Sequence, residues 1–443
     1  MKDKRVILWS LVVALGGFLF GFDTAVISGA EKSIQQFWQL NSVEHGLTIS
    51  IALVGTIFGA LLGRIPSDAL GRKKALFIIA GIYLISSAGS ALSTNWYLFL
   101  FFRFIGGLGV GASSVTAPVY ISEISPASNR GKLVALFQFN IVFGILISYF
   151  SNYLIGAINE HAWRWMLGVQ VFPSLLFLLL IKFIPESPRW LILHKNDTIE
   201  AEKILQIINP TGYEKDLENI LQNNAEELSD PQGEVLFSHR YRFPAFLAIA
   251  FAIFNQTSGI NAIIYYAPRI FEMTGLGTSS SLLSTAGIGL VNFLFTLLAM
   301  RFIDNIGRKK LMLIGSFGLI ATLGLVSYTF YTQQFSGYYV TIYLLVYIAF
   351  FAFSQGAVIW VFISEIFPNQ VRAKGQTLGS FTHWVMAALI AFSFPYFAEK
   401  AGGGNTFLFF ALMMVLQLFF VWKLMPETKG KSLEQIETTL VLH

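Results

Sequence analysis

A carboxylate and a guanidinium stand inside long apolar runs. Asp23 lies in Gly21-Phe22-Asp23-Thr24-Ala25, and Arg103 follows Phe101 and Phe102. A carboxylate carried into a bilayer on a helix costs about 2.5–3.5 kcal/mol on insertion scales, and such groups usually line a pathway or a proton relay. Asp23 is seven residues before Ala30, at the end of the first run, and Arg103 is seven after Trp96, at the start of the fourth. At 1.5 Å per residue both lie about 10 Å below one surface. Equal depth makes them a plausible pair. A static pair that only fixes packing is the plainer reading, but apolar residues would usually serve packing as well. A carboxylate whose Arg partner comes and goes changes its affinity for a proton with conformation, and proton coupling requires that.

A second constellation is uncharged. Asn255-Gln256-Thr257-Ser258-Gly259-Ile260-Asn261 puts amides and a glycine in the middle of the seventh apolar run. Non-helical backbone at membrane depth is tolerated only where it lines a cavity or is packed in protein. Amides both donate and accept, so they suit a neutral polyhydroxylated ligand better than an ion. Gln138, Asn140, Asn292, His383 and Trp384 add polar groups at mid-run positions, and Trp360 adds an aromatic platform. Any one of them could be a helix–helix hydrogen bond; together they favour a central polar cavity. Gly106-Gly107-Leu108-Gly109-Val110-Gly111 resembles a nucleotide loop only as a string. No strand precedes it, so close helix packing through small residues is the better reading.

A third constellation recurs. Asp68-Ala69-Leu70-Gly71-Arg72-Lys73-Lys74 returns as Asp304-Asn305-Ile306-Gly307-Arg308-Lys309-Lys310, offset by 236. Glu123, with Arg130 seven residues on, returns as Glu365 with Arg372, offset by 242. Pro185-Glu186-Ser187 returns as Pro426-Glu427-Thr428, offset by 241. Three motifs in one order at nearly one offset identify a tandem duplication. The repeated acids and bases fall at helix ends on one side. Asp68, Arg72, Glu123, Arg130, Glu186, Asp304, Arg308, Glu365, Arg372 and Glu427 therefore form a candidate gate, whose pairs hold when that side is closed and part when it opens.

The elements that position these residues follow from composition. The chain of 443 residues is 55% hydrophobic and 12% charged, against about 25% charged in a soluble protein. Twelve runs are long enough to cross a bilayer: 6–30, 46–66, 75–93, 96–121, 133–155, 163–184, 243–271, 282–303, 311–331, 338–363, 377–398 and 406–424. The first is too long for a signal-peptide core, and no small-residue cleavage site follows it. The expected fold class is an all-α membrane protein of two parallel-repeated six-helix bundles, 1–184 and 243–425. A charged, helical linker at 185–242 joins them, and a short tail occupies 426–443. Six spans per repeat preserve orientation, which gives parallel repeats related by an axis along the membrane normal. Lys and Arg crowd one side, leaving Lys32, Arg164, Arg269 and Lys400 on the other. The crowded side, with both termini, is expected to be cytoplasmic. The net charge of +5 thus reports orientation and does not imply nucleic acid. With no cysteine, neither a disulfide framework nor a thiolate metal site is available, and no metal or cofactor is expected.

These residues resemble the sugar porter family of the major facilitator superfamily. The resemblance rests on Gly71-Arg72-Lys73-Lys74, Pro185-Glu186-Ser187-Pro188-Arg189-Trp190, Gln256-Thr257-Ser258-Gly259-Ile260-Asn261 and Pro426-Glu427-Thr428-Lys429-Gly430, and runs from about Gly16 to Ile436. The chain looks closest to bacterial D-xylose and glucose proton symporters. The resemblance implies alternating access, with two halves rocking about a central monosaccharide. It adds Phe20, Tyr265 and Gly356 to Gln138, Asn255, Gln256, Asn261, Asn292, Trp360 and Trp384 as sugar contacts. His383 adjoins Trp384 where the family has an amide and joins the same set. It gives Asp23 the proton-coupling position and Arg103 its partner, and Arg189 of the second motif joins the gate. The chain departs from the family at Asn255, Ile145, His383, Gln170 and Gln355-Gly356-Ala357, mostly around the sugar contacts.

The expected function is proton-coupled monosaccharide symport in the cytoplasmic membrane, by a chain functional as a monomer in the lipid bilayer. A passive sugar uniporter, with Asp23 as a structural acid, is the nearest rival. A non-transporting sugar receptor usually carries a long signalling tail, whereas this sequence ends shortly after Gly430. An intramembrane enzyme lacks a nucleophile–base pair, since His383 is read as the sole mid-span histidine. An inverted-repeat ion transporter would need a different symmetry.

Overall fold

The computed structural model describes residues 4–126, 129–158, 161–229, 236–335, 338–368 and 370–431, and of 223–229 the backbone only. The side chains of Glu226 and Glu227, and the tail beyond Lys431 with Ile436, lie outside the described residues. Twelve helices among the described residues are long and apolar enough to cross a membrane. The first six are span 1 (Lys4–Phe37), span 2 (Ser42–Leu62), span 3 (Arg72–Leu92), span 4 (Trp96–Glu123), span 5 (Arg130–Ile155) and span 6 (Ala162–Phe183). The second six are span 7 (His239–Met273), span 8 (Thr278–Ile306), span 9 (Arg308–Thr332), span 10 (Tyr339–Glu365), span 11 (Arg372–Lys400) and span 12 (Gly402–Lys423). All twelve expected runs are present in order. The charged linker is helical over Thr198–Ile208 and Tyr213–Ser229.

Three spans are interrupted, and span 6 is a helix over Ala162–Gly168 and another over Val171–Leu180. Span 7 is a helix over Arg242–Thr257 and another over Ile260–Met273, joined through Gly259 at φ +85°. The amide-rich segment is therefore the site of a true break. Span 10 breaks at Ser354, at φ −117° and ψ −88°, which the sequence does not announce.

Proline inside a helix withholds the hydrogen bond that the carbonyl four residues earlier would accept. With no water at membrane depth, another donor must supply it. Pro268 orphans the Ile264 carbonyl, and the Tyr149 hydroxyl donates to it at 2.8 Å. Pro395 orphans the Ala391 carbonyl, and the Tyr266 hydroxyl donates to it at 2.9 Å. Both tyrosines are buried.

Contacts group the described residues into two units. One holds those within 1–26, 54–148 and 164–232, and the other those within 27–53, 149–163 and 233–443. In the first unit glycines let helix backbones meet. A Cβ on Gly55 or Gly59 would strike the carbonyl oxygen of Phe104 or Leu108, and one on Gly111 would strike the backbone of span 2. The glycine string of span 4 is thus a packing face, as expected. A Cβ on Gly21 would strike the Ile141 carbonyl, and one on Gly144 the Phe18 carbonyl, which seals span 1 to span 5. The linker joins this unit: Ile192, Ala201, Ile204 and Ile208 pack in one core with Leu76, Tyr120 and Ile184.

Overpacking costs about 1–3 kcal/mol even where side chains can yield, and here the obstacle is backbone. Gly21→Val is expected to lower the midpoint of thermal unfolding in detergent markedly. Gly81→Ala, whose added Cβ meets nothing within 4 Å, should leave it unchanged.

Candidate functional site

The repeated charges build the same device twice. In the first unit Arg72 forks onto Glu123, with Nε donating to Oε2 at 3.0 Å and Nη2 to Oε1 at 3.1 Å. Its Nη1 donates to Asp68 Oδ1 at 2.9 Å and to the Ser67 carbonyl at 3.1 Å. In the second unit Arg308 forks onto Glu365 at 3.1 and 2.7 Å and reaches Asp304 at 2.9 Å. Planar, two-pronged pairing of this kind fixes geometry as well as charge. Each fork ties the start of one span to the end of the next: span 3 to span 4, and span 9 to span 10.

The remaining repeated acid caps a helix from a distance. Span 3 begins at Gly71, which has no side chain to cap it. Glu186 does so instead, accepting from the Lys73 amide at 3.0 Å and the Ser187 amide at 2.8 Å. A carboxylate there also meets the positive end of the helix dipole. Burial nevertheless pushes the Glu186 carboxyl up from its ordinary range, while the amides of Ser187, Lys73 and Arg72 pull against that rise. Glu427 caps span 9 in the same way, accepting from the amides of Arg308 at 2.9 Å and Lys309 at 3.0 Å. Gly71 and Gly307 sit at φ +98° and +97°, and a Cβ on either would collide with its capping carboxylate. Both requirements select glycine. Of the other candidate gate residues, Arg130 is exposed and Arg189 half-buried. Arg372 Nε donates to the Phe367 carbonyl at 3.3 Å.

Asp23 and Arg103 meet. Arg103 Nη1 donates to Asp23 Oδ1 at 2.8 Å, and the two residues are 2% and 4% exposed. A Cβ on Gly106 would lie 3.7 Å from the same Asp23 oxygen. The equal-depth arithmetic thus names real neighbours. The buried Arg103 Nε has no hydrogen-bond partner among the described residues, while Arg103 Nη2 lies 3.5 Å from the Asp23 carbonyl oxygen. Gln170 is buried, and its Oε1/Nε2 amide leaves Nε2 without an acceptor among the described residues.

The amides cluster around Gln256. Its Nε2 donates to Asn255 Oδ1 at 2.8 Å and lies 3.2 Å from His383 Nδ1, while its Oε1 accepts from Asn261 Nδ2 at 2.6 Å. The His383 ring sits between Trp360 and Trp384, with centroids 4.9 and 5.0 Å away. Trp360 is 37% exposed whereas Trp384 is buried. Tyr265 is buried, and Asn292 and Gly356 are half-buried. All of these belong to the second unit, whereas Phe20 and Gln138, both half-buried, belong to the first. Asn140 donates to Leu136 in its own helix at 2.9 Å.

One charged cluster escapes the sequence reading. Arg269 forks onto Glu31 at 2.9 and 2.7 Å, and His45 Nε2 lies 2.7 Å from Glu31 Oε2. His45 and Glu31 are 0% and 1% exposed. Lys32 pairs with Glu272, and Ser42 bonds to Glu399. His45 stands at the start of span 2, whereas His383 lies at mid-span. Span 2 starts four residues earlier than expected because the Asn41 side chain accepts from the amides of Val43 and Glu44, both at 3.0 Å. That cap draws His45 into the helix. The signal available in sequence was Glu31 itself, an acid near the far end of the first apolar run.

Twelve apolar helices, paired charges at their ends and an amide cluster at mid-depth define a multi-pass membrane transporter. The family model described as "Sugar (and other) transporter" matches residues 9–440, and the chain belongs to that family. It is a transporter, not an enzyme. It is 38% identical over 439 residues to the arabinose-proton symporter of Bacillus subtilis, covering 98% of this chain and 94% of the relative. It is 37% identical over 442 residues to the glucose transporter GlcP of Staphylococcus epidermidis, covering 99% and 98%. Among solved structures it matches a partially occluded inward open conformation of the xylose transporter XylE from E. coli. That match has a TM-score of 0.86 and 34% identity, covering 97% of this chain and all of the other.

Removing one member of a buried, hydrogen-bonded ion pair costs about 3–5 kcal/mol, whereas an exposed pair contributes about 0–1 kcal/mol. The Arg308 side chain is 9% exposed and that of Asp304 is 78% exposed. Unfolding in detergent should therefore show a large loss of stability for Arg308→Ala and almost none for Asp304→Ala.

Proposed function

We propose that this chain is a proton-coupled monosaccharide symporter of the cytoplasmic membrane, with both termini inside, working as a monomer in the bilayer by alternating access. The observation that carries this reading is the buried Asp23–Arg103 pair. A buried carboxylate paired with a single guanidinium is a poor structural choice, because apolar residues would pack there without desolvation cost. It is a good proton acceptor once the arginine moves. Relatives named for proton symport of arabinose and of D-xylose support the same reading.

In this scheme sugar binds from outside between the repeats, 1–184 and 243–425. Asn255, Gln256 and Asn261 present donors and acceptors to its hydroxyls, and Trp360 packs on its apolar face, with His383 and Trp384 behind. Protonation of Asp23 weakens its hold on Arg103 and permits occlusion. The inner charge network, with Arg72–Glu123 and Arg308–Glu365 among its pairs, then parts to release sugar. The membrane potential contributes about 2.3 kcal/mol per charge per 100 mV. At about 1.36 kcal/mol per tenfold, one proton sustains a sugar gradient of about fifty-fold.

Purified protein in vesicles, with labelled sugars and an imposed proton gradient, tests this. The native protein should concentrate one or more of xylose, arabinose, glucose and galactose, and an uncoupler should abolish the gradient. Asp23→Asn should lose accumulation while retaining sugar exchange. Accumulation that survives in Asp23→Asn would remove the coupling role, and a native protein that equilibrates sugar without concentrating it would be a uniporter.

A further inference from the structure

The Glu31–His45–Arg269 cluster has no part in the scheme above. It lies at the ends of spans 1, 2 and 7 opposite the repeated forks. Those ends belong to one contact unit, joined also by the Lys32–Glu272 pair and by close packing. A Cβ on Gly46 would strike the Phe392 carbonyl, one on Gly29 would strike the Asn152 side chain, and the Tyr149 hydroxyl closes on the Ile264 carbonyl. Only one carboxylate sits fully buried in this seam, and a guanidinium and an imidazole converge on it. A packing role alone would not need three ionisable groups.

The charge balance fixes which form of His45 belongs there. Glu31 carries one negative charge, and Arg269 neutralises it through two prongs. Gln35 Oε1 accepts a further Arg269 hydrogen bond at 2.5 Å. From span 7, Tyr266 presents its ring edge to His45 at 5.9 Å, and Glu272 is occupied by Lys32. On the histidine's own helix Glu44 caps backwards to the Asn41 amide, and from span 11 Glu399 is taken by Ser42. No second carboxylate in this set is left to balance an imidazolium. His45 Nδ1 is buried with no partner among the described residues. A proton added there would make a charged donor with nowhere to donate, which a buried site penalises heavily. Neutral His45 donates through Nε2 to Glu31, and the cluster holds. In an open seam water would accept from Nδ1, and the cation would be tolerated.

We propose that Glu31, His45 and Arg269 form an outer latch that opens with uptake of a proton at His45, so that acid on the outer face favours the sugar-accepting state. The proposal rests on the transport reading given above but assigns a second proton-binding position, separate from Asp23.

The chain contains no cysteine, so one introduced thiol reports alone. Ser28→Cys is nearly isosteric at a site 2% exposed. It would be labelled from outside in vesicles with a charged maleimide at pH 7.5 and 5.5. Rates would be normalised to Tyr97→Cys, 76% exposed in the native structure, to remove the reagent's own pH dependence. Acid is expected to raise the normalised rate several-fold. Adding His45→Gln, or His45→Asn should the first fold poorly, should abolish that rise. Adding Glu31→Gln should give fast labelling at both pH values. A rate that does not respond to pH, or that responds equally without His45, overturns the latch. Proton-driven accumulation is measured separately on the native protein, so failure of symport and failure of the latch are told apart.

Discussion

One guanidinium, gripped on two sides, organises one end of each repeat. Arg72 and Arg308 each start a span, fork onto the carboxylate that ends the next, and hold a second acid one turn behind. The glycine before each arginine turns the chain through a conformation that other residues avoid. Its bare α-carbon admits the capping carboxylate of Glu186 or Glu427. Helix start, helix end, turn and distant acid are thus fixed by one set of polar contacts. The repeat is chemical as well as architectural: the same atoms meet at nearly the same distances in both copies.

The mid-depth features obey the complementary constraint, that polar groups far from water must be answered from within the protein. Tyr149 and Tyr266 supply donors to the carbonyls that Pro268 and Pro395 leave free. Gln256 is held at both ends of its amide by Asn255 and Asn261. Asp23 has Arg103. Breaks and charges gather where such answers exist, and ligand chemistry becomes possible in the same places. A group already held by one weak partner can exchange it for another.

Much of this is legible in the residues. Apolar runs locate the spans because the bilayer sets their length, and recurrence of Asp68 to Lys74 as Asp304 to Lys310 reveals the duplication. Depth counting alone brings Asp23 and Arg103 together. What escapes is non-local or set by a few residues at a helix end. Glu186 caps a helix whose amide lies 113 positions earlier, a meeting that no local pattern encodes. Ser354 breaks span 10 without proline or glycine on either immediate side. His45 reads as loop because the Asn41 cap, which moves the start of span 2, weighs little against the hydropathy that follows.

Span 1 has 34 residues, about 51 Å at 1.5 Å per residue, against a hydrocarbon thickness of about 30 Å. It is one continuous helix, yet its residues up to Val26 belong to one contact unit and those from Ile27 to the other. Spans 2 and 5 pass between the units in the same way, at Val54 and Tyr149. Such a helix is one stiff rod, longer than the layer that it crosses. If it tilts by about ten degrees, its far tip travels roughly 9 Å over that length. Asp23 and Glu31 are two marks on that one rod, eight residues and about 12 Å apart along its axis.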